Sequence, residues 1–181
     1  MKKKLGIITG VFFTILFIIV ASMGIYYFVL TETIVLDSMP ATDIQEQVDV
    51  YVELGYCRKG YFDGNSTEIQ LTRCQRQKWI KAVKEELQRM LESANGLEHM
   101  KYEISSDARE LTLIANENMN YNLAGTYLLA LVYDMELLQI LSGEEDWGID
   151  FTLKDMDTNE ILYTADYPEE KIRVDETIWE K

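Results

Sequence analysis

The sequence predicts an α+β protein in which an N-terminal transmembrane helix precedes a two-layer domain. Three observations carry this prediction. A long uncharged apolar run opens the chain, two pairs of later segments alternate apolar and polar residues as strands do, and segments with helical periodicity lie before and between them. Within the domain we expect an antiparallel sheet of about four strands packed on helices, in the order α-α-β-β-α-β-β.

The first element is the predicted membrane helix over residues 5–31, which follows a basic cytoplasmic stub at residues 1–4. Its 27 uncharged residues reach roughly 40 Å as a helix, more than a hydrocarbon core of about 30 Å requires. A cleaved signal peptide is the alternative, because it also begins with lysines. The apolar part of such a signal covers only about 7–15 residues, so the length favours an uncleaved signal-anchor.

The lysines of the stub also predict the orientation, because positive flanks stay on the cytoplasmic side. The expected location is therefore the cell membrane, crossed once, with the C-terminal domain outside the cytoplasm. From Glu32 onward the chain has 31 acids and 14 bases, a net charge of −17. A field of this sign excludes nucleic acid as a partner held by net charge.

A short juxtamembrane stalk is expected at residues 32–42, where Pro40 stops any continuing helix. The extracytoplasmic α+β domain is expected at residues 43–167, and a charged C-terminal tail at residues 168–181. No internal repeat divides the domain.

The domain begins with two predicted helices. The first covers residues 43–54, and a glycine-rich loop follows it up to residue 66. The second is the best helix of the domain, over residues 67–96, with Thr67 and Gln70 as a capping box at its start. Its apolar residues recur at three- and four-residue spacing and predict one buried stripe of Trp79, Ile80, Val83, Leu87, Met90 and Leu91.

Two hairpins and a helix complete the domain. Residues 101–106 and 109–115 alternate as one strand pair, and residues 148–155 and 160–166 as another. Between the pairs, residues 123–143 form a helix that is apolar on nearly all sides, which predicts the central buried helix. A second membrane span is the alternative, but two acidic residues interrupt its apolar run.

The stretch "KDMDTNEIL", residues 154–162, joins the last two strands. Asp155, Asp157 and Asn159 stand at alternate positions, as the first ligands of a calcium loop do. However, Glu160 occupies the place where such a loop needs glycine. The flanking strands favour a hairpin turn, and a weak surface cation site at these three residues is the alternative.

Cys57 and Cys74 are the only two cysteines. In an oxidising compartment an even number of cysteines predicts a disulfide, and closing a loop of this length would stabilise the fold by roughly 3 kcal/mol. Two free thiols are the alternative. With His99 as the only histidine, the chain offers no tetrahedral metal set, and no cofactor is expected.

Basic residues concentrate around the long helix. From Cys57 to Met90 there are eight bases and four acids, whereas residues 134–181 contain fifteen acids and four bases. This asymmetry predicts either a basic interaction surface or internal charge complementarity between layers. The interaction surface would consist of Arg73, Arg76, Lys81 and Lys84.

These patterns predict a non-catalytic, membrane-anchored extracytoplasmic domain that acts by binding, as a sensor or as an accessory subunit of an envelope assembly. Its partners would be the membrane, through residues 5–31, and a protein or another envelope component. No catalytic motif is present. A cell-surface hydrolase that uses paired carboxylates and a pilus-like structural subunit are the alternatives.

Overall fold

The computed structural model describes residues 2–36, 44–64 and 66–179, with side chains from residue 15 onward. These residues form two sheets and four α-helices, which confirms the α+β class. The helices are α1 (Lys2–Phe28), α2 (Ile44–Glu53), α3 (Arg73–Asn95) and α4 (Tyr121–Ser142). The strands are β1 (Thr31–Leu36), β2 (Lys59–Phe62), β3 (Thr67–Thr72), β4 (Met100–Ile104), β5 (Glu110–Ala115), β6 (Ile149–Asp155) and β7 (Ile161–Tyr167), and a final 3₁₀ turn covers Glu176–Trp179.

The chain divides into two compact units, and the division falls within α3, between Lys78 and Trp79. The first unit contains α1, nearly all of β1, and α2, β2 and β3. Its sheet has the order β1-β3-β2, with β2 antiparallel to β3. Gly60 lets α2 approach this sheet closely, because a Cβ atom there would lie 2.5 Å from a methyl carbon of Val48.

This three-stranded sheet corrects two expectations. The glycine-rich loop contains β2, and the start of the predicted helix is β3, so α3 begins at Arg73 rather than at residue 67. The capping box is at Thr72 and Gln75: the Thr72 amide donates to Gln75 Oε1 at 3.0 Å, and the Gln75 amide donates to Thr72 Oγ1 at 3.3 Å. The predicted box at Thr67 and Gln70 is wrong because both residues pair with β2.

The predicted stalk begins as part of the same sheet. Residues 31–36 form β1, which is hydrogen-bonded beside β3. Ile34 and Leu36 are buried, and the residues between and before them are more exposed, as in a strand with one covered face. The second half of the predicted stalk, residues 37–42, lies outside the described residues.

The second unit is built on a four-stranded sheet of order β4-β5-β6-β7. Its outer pairs are antiparallel hairpins, as predicted. The central pair is parallel, with Leu111 opposite Phe151 and Leu113 opposite Leu153, so the expectation of a wholly antiparallel sheet is wrong. The reason is the crossover: α4 carries the chain back past the sheet before β6 begins, so β6 runs in the same direction as β5.

Helix α4 is the core helix of this unit, as predicted. Asn120 caps its start and Gly143, at φ 98°, ends it. The hydroxyl of Tyr102 on β4 donates to the carbonyl of Ala124 at 2.6 Å. The side chains of α1 are described only for Ile15–Phe28, which is a shorter apolar helix. Among the residues with described side chains, α4 is the one helix long and apolar enough to cross a membrane, but 56% of its apolar window is buried inside the protein.

Candidate functional site

The apolar surface of α1 is the most unusual feature of the described residues. Its large apolar side chains are exposed at nearly every position from Ile15 to Leu30, and Phe17 reaches 75% exposure. Because these positions are consecutive, they point to all sides of the helix. Apart from the hydroxyls of Tyr26 and Tyr27, the one polar side chain of this stretch is Ser22, which donates to the backbone carbonyls of Ile18 and Ile19 of the same helix. The helix therefore lacks a polar face for water.

Two arginines of the first unit gather at the C-terminal end of α1. Arg58 donates from Nη2 to the carbonyl oxygen of Phe28 at 2.9 Å, and the Cζ atom of Arg73 lies 3.9 Å from the centre of the Tyr26 ring. The last carbonyls of a helix lack helical partners and attract cations, and the face of a tyrosine ring does the same. We call Tyr26, Phe28, Arg58 and Arg73 the helix-base cluster.

Two further contacts stabilise the first unit near the helix-base cluster. Arg76 on α3 forms an ion pair with Glu32 on β1 at 3.0 Å, and both side chains are partly buried. Lys78 donates to the carbonyl oxygen of Leu54 at 2.6 Å. Contacts such as the Arg76–Glu32 pair hold the start of α3 against the strand that directly follows α1.

The four residues of the predicted basic surface have different surroundings. Arg73 belongs to the helix-base cluster, and Arg76 is paired with Glu32. In the second unit, Lys81 is 3.6 Å from Glu85, an exposed pair that contributes little to stability. Lys84 lines a cleft. The arginines therefore serve contacts within the first unit, and the lysines face solvent.

The cleft of the second unit is a shallow open cavity of about 240 Å³. Its polar wall is formed by Lys84, Gln88, Ser105 and Ser106. The apolar lining consists of Leu87, Leu91, Ile104, Ala108 and Leu138. Apolar side chains with a few polar groups among them are the usual lining of a small-molecule or side-chain site.

The structure contains no disulfide between the two cysteines, and the predicted bridge stays a prediction. Cys57 lies in the protein interior, whereas Cys74, the second residue of α3, is exposed. Burial raises the pKa of the Cys57 thiol to about 11, because the charged thiolate would be poorly solvated there. The two cysteines therefore differ greatly in accessibility.

The hairpin interpretation of residues 154–162 is confirmed by the turn between β6 and β7. Oδ1 of Asp155 accepts hydrogen bonds from the amides of Asp157 and Thr158, both at 2.8 Å. Asn159 has φ 61°, the left-handed conformation that asparagine tolerates. Within the described ranges, no group of three or more His, Cys, Asp or Glu side chains is placed to hold a metal ion.

One functional candidate was missed from the sequence, a carboxyl group inside the second unit. Asp134 on α4 is only 9% exposed, and its Oδ2 has no hydrogen-bond partner in the part of the chain that the structure describes. Burial, and then the charge of Glu86, raise the pKa of Asp134 to about 7. The sequence did contain a signal for this buried carboxyl group, since an acidic residue interrupts an otherwise apolar helix. Asp134 does not line the cleft.

No known protein family matches this chain, and neither does any curated protein or solved structure. Arguments about function therefore rest on the geometry of this chain. Two features stand out in that geometry, the apolar surface of α1 with its helix-base cluster and the cleft of the second unit.

Proposed function

We propose that this protein is a single-pass membrane protein whose extracytoplasmic domain acts by binding, as a sensor or as a subunit of an envelope assembly. In this proposal α1 is the uncleaved anchor over residues 5–31, Lys2, Lys3 and Lys4 stay in the cytoplasm, and the chain from Glu32 onward lies outside. The observation that carries the proposal is the exposure of apolar side chains on all sides of α1 from Ile15 onward.

Water is a poor environment for such a helix. Soluble monomers rarely expose a continuous apolar patch of more than a few hundred Å², whereas lipid tails accommodate a helix that is apolar all round. From Leu5 to Phe28 the helix is about 36 Å long at its usual rise, enough for a hydrocarbon core of about 30 Å. Helix α4 is a weaker candidate because the second unit buries most of it.

Binding is the role that the outer domain supports best. Its net charge of −17 keeps it soluble and away from anionic surfaces. The cleft beside Lys84 gives the second unit an open concave surface lined by both apolar and polar side chains. We expect a partner that inserts a small apolar group there and places a polar or negatively charged group near Lys84.

The anchor is tested by extracting membranes with alkaline carbonate. We expect the full chain to stay in the pellet, and the double variant Phe17→Arg/Val20→Arg to be released, because each arginine costs about 2.5–3.5 kcal/mol at the centre of a span. Leu129→Arg is the matched control, since Leu129 is an exposed apolar residue of α4, and we expect it to stay in the pellet. Release of the unmodified chain would refute the anchor.

Two further measurements test orientation and role. Protease added to intact cells should remove the outer domain, and the mass of the undigested protein should include residues 1–31; a shorter mass would mean a cleaved signal. Affinity purification from solubilised membranes, with Lys84→Glu/Leu138→Glu as the comparison, should recover a partner that the variant loses. Identical recoveries would exclude the cleft as the binding surface.

A further inference from the structure

We propose that Arg58 and Arg73 bind phosphate groups of membrane lipids in the outer headgroup layer and so hold the first unit against the membrane surface. This inference rests on the proposed anchor. It adds a defined contact between the folded domain and the bilayer, and the observation behind it is the helix-base cluster.

The depth of the two arginines in the bilayer follows from the length of α1. Tyr26 lies 21 residues beyond Leu5, about 32 Å along the helix. The hydrocarbon core ends after about 30 Å, and the headgroup layers extend the bilayer to about 40–45 Å. The Tyr26 ring and the Phe28 carbonyl therefore fall in the outer headgroup layer. Tyr26 and Tyr27, with ring centres 6.0 Å apart, are the residue type typical of this interface.

The guanidinium groups lie at the same level because they touch these residues directly. The Cζ atom of Arg73 is 3.9 Å from the Tyr26 ring centre, and Nη2 of Arg58 is 2.9 Å from the Phe28 carbonyl oxygen. Each contact bridges residues about thirty or more positions apart in sequence. The fold of the first unit therefore brings two cations to the end of the apolar helix.

Both arginines retain hydrogen-bonding capacity for a ligand. An arginine has five N–H donors; Arg58 directs one to Phe28, and Arg73 places its Cζ atom 3.9 Å from the centre of the Tyr26 ring, a contact that uses no N–H donor in a conventional hydrogen bond. Both side chains are exposed, and no carboxylate among the described residues pairs with either. Arg76, three residues further on, differs because Glu32 neutralises it.

Phosphate is the group that this arrangement fits. The planar guanidinium matches two phosphate oxygens at once, and lipid phosphates are the anions present at this depth. The net charge of −17 from Glu32 onward opposes general attraction to an anionic surface. We therefore expect local contacts with the phosphate itself, in zwitterionic as well as anionic phospholipids.

The test uses the full chain, labelled with ¹³C at the arginine guanidinium carbon, in phospholipid bilayers. Solid-state NMR then measures how strongly lipid ³¹P dephases the arginine signal. We expect clear dephasing in the unmodified protein, its loss in Arg58→Gln/Arg73→Gln, and its retention in Arg173→Gln, a control at an exposed arginine of the tail. Absence of dephasing in the unmodified protein would overturn the proposal without any variant.

Two further measurements distinguish failure of the lipid contact from failure of the proposed anchor. In bilayers of phosphate-free glycolipid with inorganic phosphate in the buffer, we expect no dephasing; dephasing there would assign the site to free phosphate and overturn the lipid contact. Sedimentation with the bilayers is measured on the same samples. A protein that sediments without dephasing refutes the lipid contact alone, whereas a protein that fails to sediment refutes the anchor and the lipid contact together.

Discussion

Gln139 and Gly148 exchange two hydrogen bonds across the connection between α4 and β6. Nε2 of Gln139 donates to the Gly148 carbonyl oxygen at 2.9 Å, and the Gly148 amide donates to Oε1 at 3.2 Å. Nε2 also donates to the carbonyl oxygen of Ala108 at 2.7 Å. The buried amide of Gln139 thus satisfies three backbone groups and links α4 to the turn before β5 and to the start of β6.

The first prediction concerns this amide. Gln139→Leu keeps a similar side-chain size but leaves the three backbone groups without their partner, and we expect the free energy of unfolding to fall by about 2 to 4 kcal/mol. Urea denaturation of the full chain in mild detergent measures it. Gln45→Leu is the control, because the Gln45 side chain is exposed and donates to the exposed Asp49 on the same helix, and it should change stability by less than about 0.5 kcal/mol.

The second prediction is a pH dependence from Asp134. Its pKa is raised from 3.8 to about 7 in the folded protein, so between these pH values the folded state binds more protons than the unfolded state. The contribution of Asp134 to the free energy of unfolding is therefore most favourable below about pH 4, and it declines as the pH rises to about 7. Asp134→Asn should make the protein more stable at pH 8, by an amount on the order of 2 to 4 kcal/mol.

Urea midpoints at pH 5 and pH 8 measure this effect. The difference between the two midpoints should shrink in Asp134→Asn and persist in Asp150→Asn, whose carboxylate is exposed on β6. Glu86 is the charged group that acts on Asp134, and it is paired with Arg89. An unchanged pH profile in Asp134→Asn would show that Asp134 is ionised in the folded protein.

The third prediction concerns the free thiols. We expect a maleimide to label Cys74 rapidly in the folded protein and Cys57 only after unfolding, because Cys57 is 2% exposed and its thiol pKa is about 11. Mass spectrometry should show one rapid adduct, which Cys74→Ser removes and Cys57→Ser retains. Labelling that requires prior reduction would instead establish a disulfide between the two cysteines.

The fourth prediction addresses the backbone of the β6–β7 turn. Asn159 has φ 61°, a conformation in which a branched side chain clashes with the backbone. Asn159→Val should lower the free energy of unfolding by about 1 to 2 kcal/mol, and Asn159→Gly should leave it unchanged or slightly higher. Equal stability of the two variants would contradict the left-handed conformation.

The fifth prediction distinguishes the turn from a cation site. Because Oδ1 of Asp155 already accepts two amide hydrogen bonds, we expect millimolar calcium to leave the melting temperature unchanged. The variant Asp155→Asn/Asp157→Asn serves as the comparison. A rise in melting temperature that occurs only in the unmodified protein would establish the weak cation site at Asp155, Asp157 and Asn159.

Local sequence patterns were enough to predict most helices and strands of the second unit. The alternation in β4, β5 and β6 and the apolar run of α4 depend on residues close in sequence, so their burial follows from periodicity. Strand β7 departs from this pattern, since Ala165 is its one buried residue. The parallel pairing of β5 with β6 was not predicted, because periodicity assigns the faces of a strand and leaves its neighbours undetermined. The helical crossover between the two strands was the available signal.

The start of α3 shows where local pattern is ambiguous. The capping-box spacing occurs at Thr67 with Gln70 and again at Thr72 with Gln75, and only the pairing of β3 with β2 selects the second. Thr67, Ile69 and Leu71, which are buried in β3, alternate in the sequence with the polar residues Glu68 and Gln70. This alternation was an available signal for a strand. The helix-base cluster could not be predicted, since no spacing rule relates Tyr26 to Arg73.

The short connection between α1 and the first sheet has a mechanical consequence. Backbone hydrogen bonds from Val29 and Leu30 to the Ile25 carbonyl close the last turn of α1, and β1 begins at Thr31. Only Val29 and Leu30 lie between the two elements. With α1 as the proposed membrane anchor, so short a connection would pass a torque on the helix to β1, because few backbone bonds between them can rotate independently.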